Sequence, residues 1–242
     1  MKRLIYAAAA FVLAAAVCCG VYLNMGYDAS EAALAMMPQE SAGGAAVFMP
    51  EEVHAGLIFY PGGLVDHAAY APLMQALCGR GILCLLKEMP LDLAVFDIDA
   101  ADGLRALYPD VDTWIIGGHS LGGAMAASYA SSHAEEYDAL VLLGAYSVAD
   151  LSGTEMHVLS VRGTEDGVLN REKYEESRKN YPARFTEVIL DGGCHAYFGD
   201  YGAQKGDGTP SMTREEQIEA TADAIAALVA PDEAIGPTGN DL

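Results

Sequence analysis

Short apolar runs alternate with helix-like stretches across residues 46–230 and predict the α/β class: a mostly parallel, doubly wound sheet flanked by helices. Two observations carry this expectation. The apolar runs are nearly continuous instead of alternating, as in strands covered on both faces. The stretches between them are long enough to cross over and return the chain parallel to the previous strand.

In order, the strands are expected at Ala55–Tyr60, Ile82–Leu86, Thr113–Gly117, Ala139–Gly144, His157–Val161 and Thr186–Leu190. Helices are expected at Asp66–Gly79, Phe96–Leu107, Leu121–Ser131, Asn170–Asn180 and Arg214–Val229. The last is the best specified, because Thr213 and Glu216 have the spacing of a capping box. Ile218, Ala222, Ile225 and Val229 then recur at helical spacing as one buried stripe. Residues 25–45 read as a poorly defined stalk with one short helix near Ser30–Met36, and 231–242, rich in Pro, Gly and Asp, as a disordered tail. The expected organisation is an N-terminal segment 1–24, the stalk 25–45, one catalytic domain 46–230 and the tail.

The chain has 242 residues and a formal charge of −21, which excludes a general nucleic-acid binder and a partner for anionic lipid sheets. The charge is unevenly spread. Residues 1–24 hold no acid and only Lys2 and Arg3 as bases, so the rest stands at −23. Leu4 to Leu23 is uncharged over 20 residues, enough to cross the hydrocarbon core of a bilayer as a helix. With Lys2 and Arg3 in front of it, the favoured reading is a single-pass signal anchor with the body extracytoplasmic. Signal cleavage near Ala14-Ala15-Ala16, with secretion, is the alternative, and a lipid anchor on Cys18 or Cys19 is a third. The cysteines show no CxxC spacing and no Cys/His cluster, and no phosphate-binding loop is present, so no metal and no cofactor is expected. A Cys78–Cys84 disulfide stays open at this level.

The strongest chemical signal is Gly117-Gly118-His119-Ser120-Leu121-Gly122-Gly123, between a strand and a helix. That context is required of a Gly-x-Ser-x-Gly nucleophile elbow, which presents a serine hydroxyl on a sharp, strained turn. A serine needs a base, and the base an orienting acid, in the chain order Ser, acid, His. Of the histidines after Ser120, His133 ends the elbow helix and His157 opens a strand. His195 lies in the glycine-rich loop after the last strand, where a base belongs. The acid belongs after the preceding strand, where Asp166 is the first choice and Glu165 its local rival. The backbone N–H of Leu121 is one expected oxyanion donor. The Tyr60-Pro61-Gly62-Gly63 turn should supply the other, Gly63 before Gly62. Tyr60, His119 and Tyr201 are candidates to line the substrate pocket.

From about residue 55 to 228 the chain resembles the α/β-hydrolase superfamily, and more narrowly a bacterial membrane-anchored branch of it with little cap. The likeness is carried by Phe59–Gly63, Ala69–Leu73, Met89-Pro90-Leu91 and the Trp114–Gly123 elbow. Most specific is the block Gly192-Gly193-Cys194-His195-Ala196 with Phe198–Gly202, Gln204 and Gly206-Asp207-Gly208. The resemblance implies the α/β-hydrolase fold and Ser120, Asp166 and His195 as the triad. Cys194 departs from it, standing where Asn is expected before the histidine.

The 12 residues from Ala145 to Met156 are too few for a lid domain, so an open site is expected, covered at most by loops, notably Ala196–Pro210. Asp200, Tyr201, Gln204 and Asp207 are expected to hold that loop together more than to touch substrate. The expected activity is hydrolysis of small-molecule carboxylic esters through an acyl-enzyme on Ser120. Lactone hydrolysis or peptidase action on the same triad, and a non-catalytic extracellular binding protein on this scaffold, are the competing expectations.

Overall fold

The computed structural model describes residues 26–229. The expected N-terminal anchor and C-terminal tail lie outside this range. Eight strands form one sheet: β1 Ser41–Ala42, β2 Ala45–Phe48, β3 Ala55–Tyr60, β4 Ile82–Lys87, β5 Trp114–His119, β6 Ala139–Leu143, β7 His157–Gly163 and β8 Phe185–Leu190. Their order is β1-β2-β4-β3-β5-β6-β7-β8. From β4 to β8 all neighbours are parallel, and the β1–β2 hairpin joins antiparallel to β4, with Val47 opposite Leu85. The α-helices are α1 Glu31–Ala35, α2 Ala71–Cys78, α3 Ser120–Ser132, α4 Arg171–Ser177 and α5 Arg214–Ala226. This is the α/β-hydrolase architecture.

Strand alternation divides the core into two layers. Leu57, Phe59, Ile115, Val141 and Leu159 face α2 and α5, meeting Leu73, Leu77, Ile218 and Ala222. Ile58, Tyr60, Ile116, Leu140 and Val158 face the other way, against Ala126, Ala127 and Ala130 of α3. Because α3 presents small side chains, it lies close to the sheet, and this fixes the height of the residue at its first turn.

Three expectations are corrected. Residues 26–45 are not a stalk. Tyr27 bridges Val65, Ala33 of α1 is fully buried, and β1 and β2 extend the sheet. Phe96–Leu107 is not a helix but a chain of turns, with 3₁₀ segments at Ala94–Phe96 and Arg105–Leu107. Its backbone is claimed by buried Tyr60, whose hydroxyl donates to the Ile98 carbonyl at 2.8 Å and accepts from the Ala101 N–H at 2.9 Å. The segment expected as a helix from Asp66 opens with a 3₁₀ turn, His67–Tyr70, and turns α-helical at Ala71. Pro72 lacks the N–H that a continuous ladder through this point would use. Cys78, Cys84 and Cys194 are free thiols, so no Cys78–Cys84 disulfide is present.

Candidate active site

The parallel strands end together, and the residues just beyond their C-terminal ends form the site, as open α/β sheets commonly arrange it. Ser120 opens α3 directly after β5, with φ +52°. A non-glycine residue held there stores about 1–3 kcal/mol and persists only if its surroundings enforce it. They do: a Cβ on Gly122 would collide with the carbonyl oxygens of Tyr60 and Pro61, so only glycine lets α3 start this close to β3.

His195 follows β8, and its Nδ1 lies 2.8 Å from Oδ2 of Asp166, which follows β7. Both side chains are about 1% exposed. Asp166 Oδ1 accepts the N–H groups of Val168 at 3.0 Å and Leu169 at 2.8 Å, so the carboxylate is an acceptor on both oxygens. It therefore accepts a hydrogen bond from His195 Nδ1–H, which leaves Nε2 of the neutral ring as an acceptor. That Nε2 is buried and has no hydrogen-bond partner among the described residues. Glu165, the rival acid, is in an exposed turn contact with Thr164 instead. Gly144 at the end of β6, with φ +52°, makes room for the pair: a Cβ there would stand 2.9 Å from His195 Nδ1 and 3.1 Å from Asp166 Oδ2.

Ser120 and His195 border one cleft of ≈ 380 Å³, walled by Leu121, Met125, Ala145, Tyr146, Val148 and Leu169. Wider depressions around Arg105 and Tyr137 and around Glu52 and Arg80 contain neither residue. The Leu121 N–H lies in the first turn of α3, where no intrahelical partner exists. Gly63 abuts it, since a Cβ on Gly63 would be 2.9 Å from the Leu121 side chain. The N–H of Gly62 is already committed to the Tyr70 hydroxyl at 2.9 Å, so Gly63 is the better placed of the two expected donors.

The three expected pocket residues do not line the cleft. Tyr60 lies wholly in the core behind α3. Tyr201 packs on Tyr27 and donates to Gln204 Oε1 at 2.9 Å. His119 is 1% exposed beneath the site, its ring centre 4.4 Å from that of His195. Its Nδ1 accepts from the Tyr70 hydroxyl at 2.7 Å, the hydroxyl that receives Gly62 N–H. Burial, with His195 nearby, pushes His119 well below the ordinary histidine range, so it is a neutral strut under the oxyanion turn. No residue of the 196–210 loop lines the cleft; Asp200 of that loop instead grips Ala69, Ser30 and Arg214.

Two groups hold the histidine loop: Asp207, expected to hold its own loop together, and Gln217, which carried no sequence signal of this role. Asp207 Oδ1 accepts the N–H groups of His195 at 3.0 Å and Gly167 at 3.2 Å, and Oδ2 that of Ala196 at 2.8 Å. One carboxylate thus ties the histidine loop to the acid loop. Gln217 on α5 brackets Cys194, accepting its N–H at 3.0 Å and donating to its carbonyl at 2.7 Å. Burial pushes the Cys194 thiol up to about 12, so it is protonated near neutral pH and no rival nucleophile.

By sequence, residues 56–219 match the alpha/beta hydrolase family. The chain belongs to that family. No curated protein matches this hydrolase. Among solved structures, it is similar to the esterase domain of a Rhodothermus marinus protein, at 17% identity and TM-score 0.55, covering 76% of this chain and 90% of that one. Est1E from Butyrivibrio proteoclasticus matches at 15% identity and TM-score 0.57, over 77% and 94% of the two chains. The monoacylglycerol lipase of Paleococcus ferrophilus matches at 12% identity and TM-score 0.59, over 76% and 98%. At these identities the likeness establishes the shared fold of the hydrolase.

Proposed function

We propose that the chain is a serine hydrolase that cleaves carboxylic esters through an acyl-enzyme on Ser120. The observation that carries this reading is the buried, unpartnered Nε2 of His195, held in the acceptor tautomer by Asp166, on the same cleft as the strained Ser120. In the reaction, Ser120 Oγ attacks the ester carbonyl carbon while His195 Nε2 takes the hydroxyl proton. The N–H groups of Leu121 and Gly63 stabilise the oxyanion. Collapse breaks the C–O bond, and His195 returns the proton to the departing alkoxide, releasing the alcohol. Water then attacks the acyl carbon, gives its proton to His195, and the carboxylic acid leaves as Ser120 is reprotonated. The neighbours named an esterase domain and a monoacylglycerol lipase support an ester over an amide.

An active-site fluorophosphonate is expected to modify the wild type and spare Ser120→Ala, with hydrolysis of p-nitrophenyl acetate falling at least about a thousandfold in the variant. Labelling of both proteins, or of neither, overturns the reading, and labelling of neither favours a non-catalytic binding protein.

We further read Leu4–Leu23 as a membrane anchor with the hydrolase domain outside the cytoplasm, supported by 20 uncharged residues behind Lys2 and Arg3. Among the described residues no helix is long and apolar enough to cross a membrane, so the anchor rests on this segment alone.

A further inference from the structure

The start of the described chain is fastened to the active site. Tyr27 N–H donates to the Leu64 carbonyl at 2.7 Å, the Tyr27 carbonyl accepts from Asp66 at 3.0 Å, and Tyr27 bridges Val65. Leu64 is the residue after Gly63, so the tether point stands beside the oxyanion turn. Leu23, the last residue of the proposed anchor, is three residues from Gly26, a reach of at most about 10 Å. The end of that anchor is therefore tethered within that reach of the turn that carries Gly63.

Exposed apolar side chains stand close to this turn and on the cleft wall. Leu64 N–H donates to the Asp92 carbonyl at 2.7 Å, fastening the 91–96 segment to the same turn. The Ala94–Phe96 turn packs on α3, the helix that carries Ser120. Its Phe96 and Val95 side chains are 61% and 42% exposed. Val148, on the cleft wall, is 73% exposed. The acidic neighbours Asp92, Asp97 and Asp99 suit zwitterionic or uncharged headgroups and oppose an anionic sheet.

We propose that this rim rests on a lipid bilayer, so that the cleft opens onto the membrane and takes an ester whose apolar part is dissolved there. The proposal builds on the anchored serine-hydrolase reading above. The bilayer would then close over a cleft that has no lid of its own.

The test uses the full chain in phosphatidylcholine vesicles with and without brominated acyl chains. The protein has one tryptophan, Trp114, which is 1% exposed and gives a background far from lipid contact. The emission added by Phe96→Trp is expected to fall by more than half in brominated vesicles. That added by Val53→Trp, which precedes β3 at the opposite end of the sheet, is expected to stay unchanged. A Val95→Ser/Phe96→Ser double variant is expected to keep its rate on water-soluble p-nitrophenyl acetate. Its rate on a long-chain ester carried in the vesicles should fall about tenfold, as loss of one or two apolar lipid contacts implies. Retention through an alkaline carbonate wash and fluorophosphonate labelling test the parent reading separately. A chain that washes off, or that does not label, overturns that reading and this inference with it. A chain that stays and labels, yet quenches equally at both positions or loses no vesicle-borne activity, overturns this inference alone.

Discussion

Asp207 lies 41 residues beyond Asp166 in the chain, yet it grips the backbone on both sides of the Asp166–His195 pair. Burial works to raise its carboxyl, but the N–H groups of Ala196, His195 and Gly167 outweigh burial and hold it below the usual carboxylate range. A group shifted down on folding stabilises above its unfolded value, near about 3.9, and loses that contribution as pH falls through the folded value. Asp207→Asn turns an NH₂ toward a backbone donor, so it should cost about 1.5–3 kcal/mol, the usual worth of charge-assisted hydrogen bonds. The check is the urea midpoint of both proteins at pH 7 and again at pH 3. The gap between them is expected to be wide at pH 7 and to shrink at pH 3; a gap independent of pH would show that the charge is not what matters.

At this scale the sequence makes Ser120, Asp166 and His195 legible, since turn chemistry and chain order suffice to bring them together. Asp207 is legible as a group that holds its own loop and Gly144 as the end of a strand, but their reach to Gly167 and to the Asp166–His195 pair is not, because each acts across a contact between distant segments. Tyr60 misleads for a related reason. It ends a strand buried on both faces, and alternation sends it to the layer of Ile58 beneath α3.

At the scale of elements, α5 shows how a local signal supports a distant site. Thr213 Oγ1 accepts the Glu216 N–H at 3.1 Å and Glu216 Oε2 accepts the Thr213 N–H at 2.7 Å, a complete capping box. The same helix carries Gln217, which holds the Cys194 backbone next to the base. Thr213→Ala removes the cap and is expected to cost about 1 kcal/mol. In a domain of this size that lowers Tm by about 2–4 °C in a calorimetric scan. An unchanged Tm would mean the cap is not worth its usual amount here.

Strands β3 to β6 are readable because both their faces are buried and their apolar runs are unbroken, whereas β7 and the edge strand β8 are partly exposed and carry polar residues. The β1–β2 hairpin is not readable, since β1 has only two residues and β2 reads as a short Ala-rich stretch. What makes it a strand pair is the free edge of β4, which lies 40 residues away for Ala46 and Leu86. The lost helix at 96–107 fails for the same kind of reason, with Tyr60 taking the backbone groups that the pattern assigned to a helix.

For the whole molecule, charge sets the conditions of stability. A chain at −21 repels itself when compact, and salt shortens the reach of that repulsion from about 30 Å at 0.01 M to about 8 Å at 0.15 M. Tm is therefore expected to rise between those two salt concentrations at pH 7. A fall would show that local pairs, such as Glu187 with Arg162 and Arg178, outweigh the net charge.

The connection between β6 and β7 borders the cleft with a short exposed tip. It runs only from Ala145 to Met156, and its Val148 tip projects outward while Leu151 is fastened to Asn180. Ser120, Asp166 and His195 all sit on other connections. A longer or shorter excursion at Val148 would therefore redraw what fits above the nucleophile while the reacting groups stay where they are. On the serine-hydrolase reading proposed above, substrate choice and bond breaking rest on separate pieces of chain, so the first can change while the second is kept.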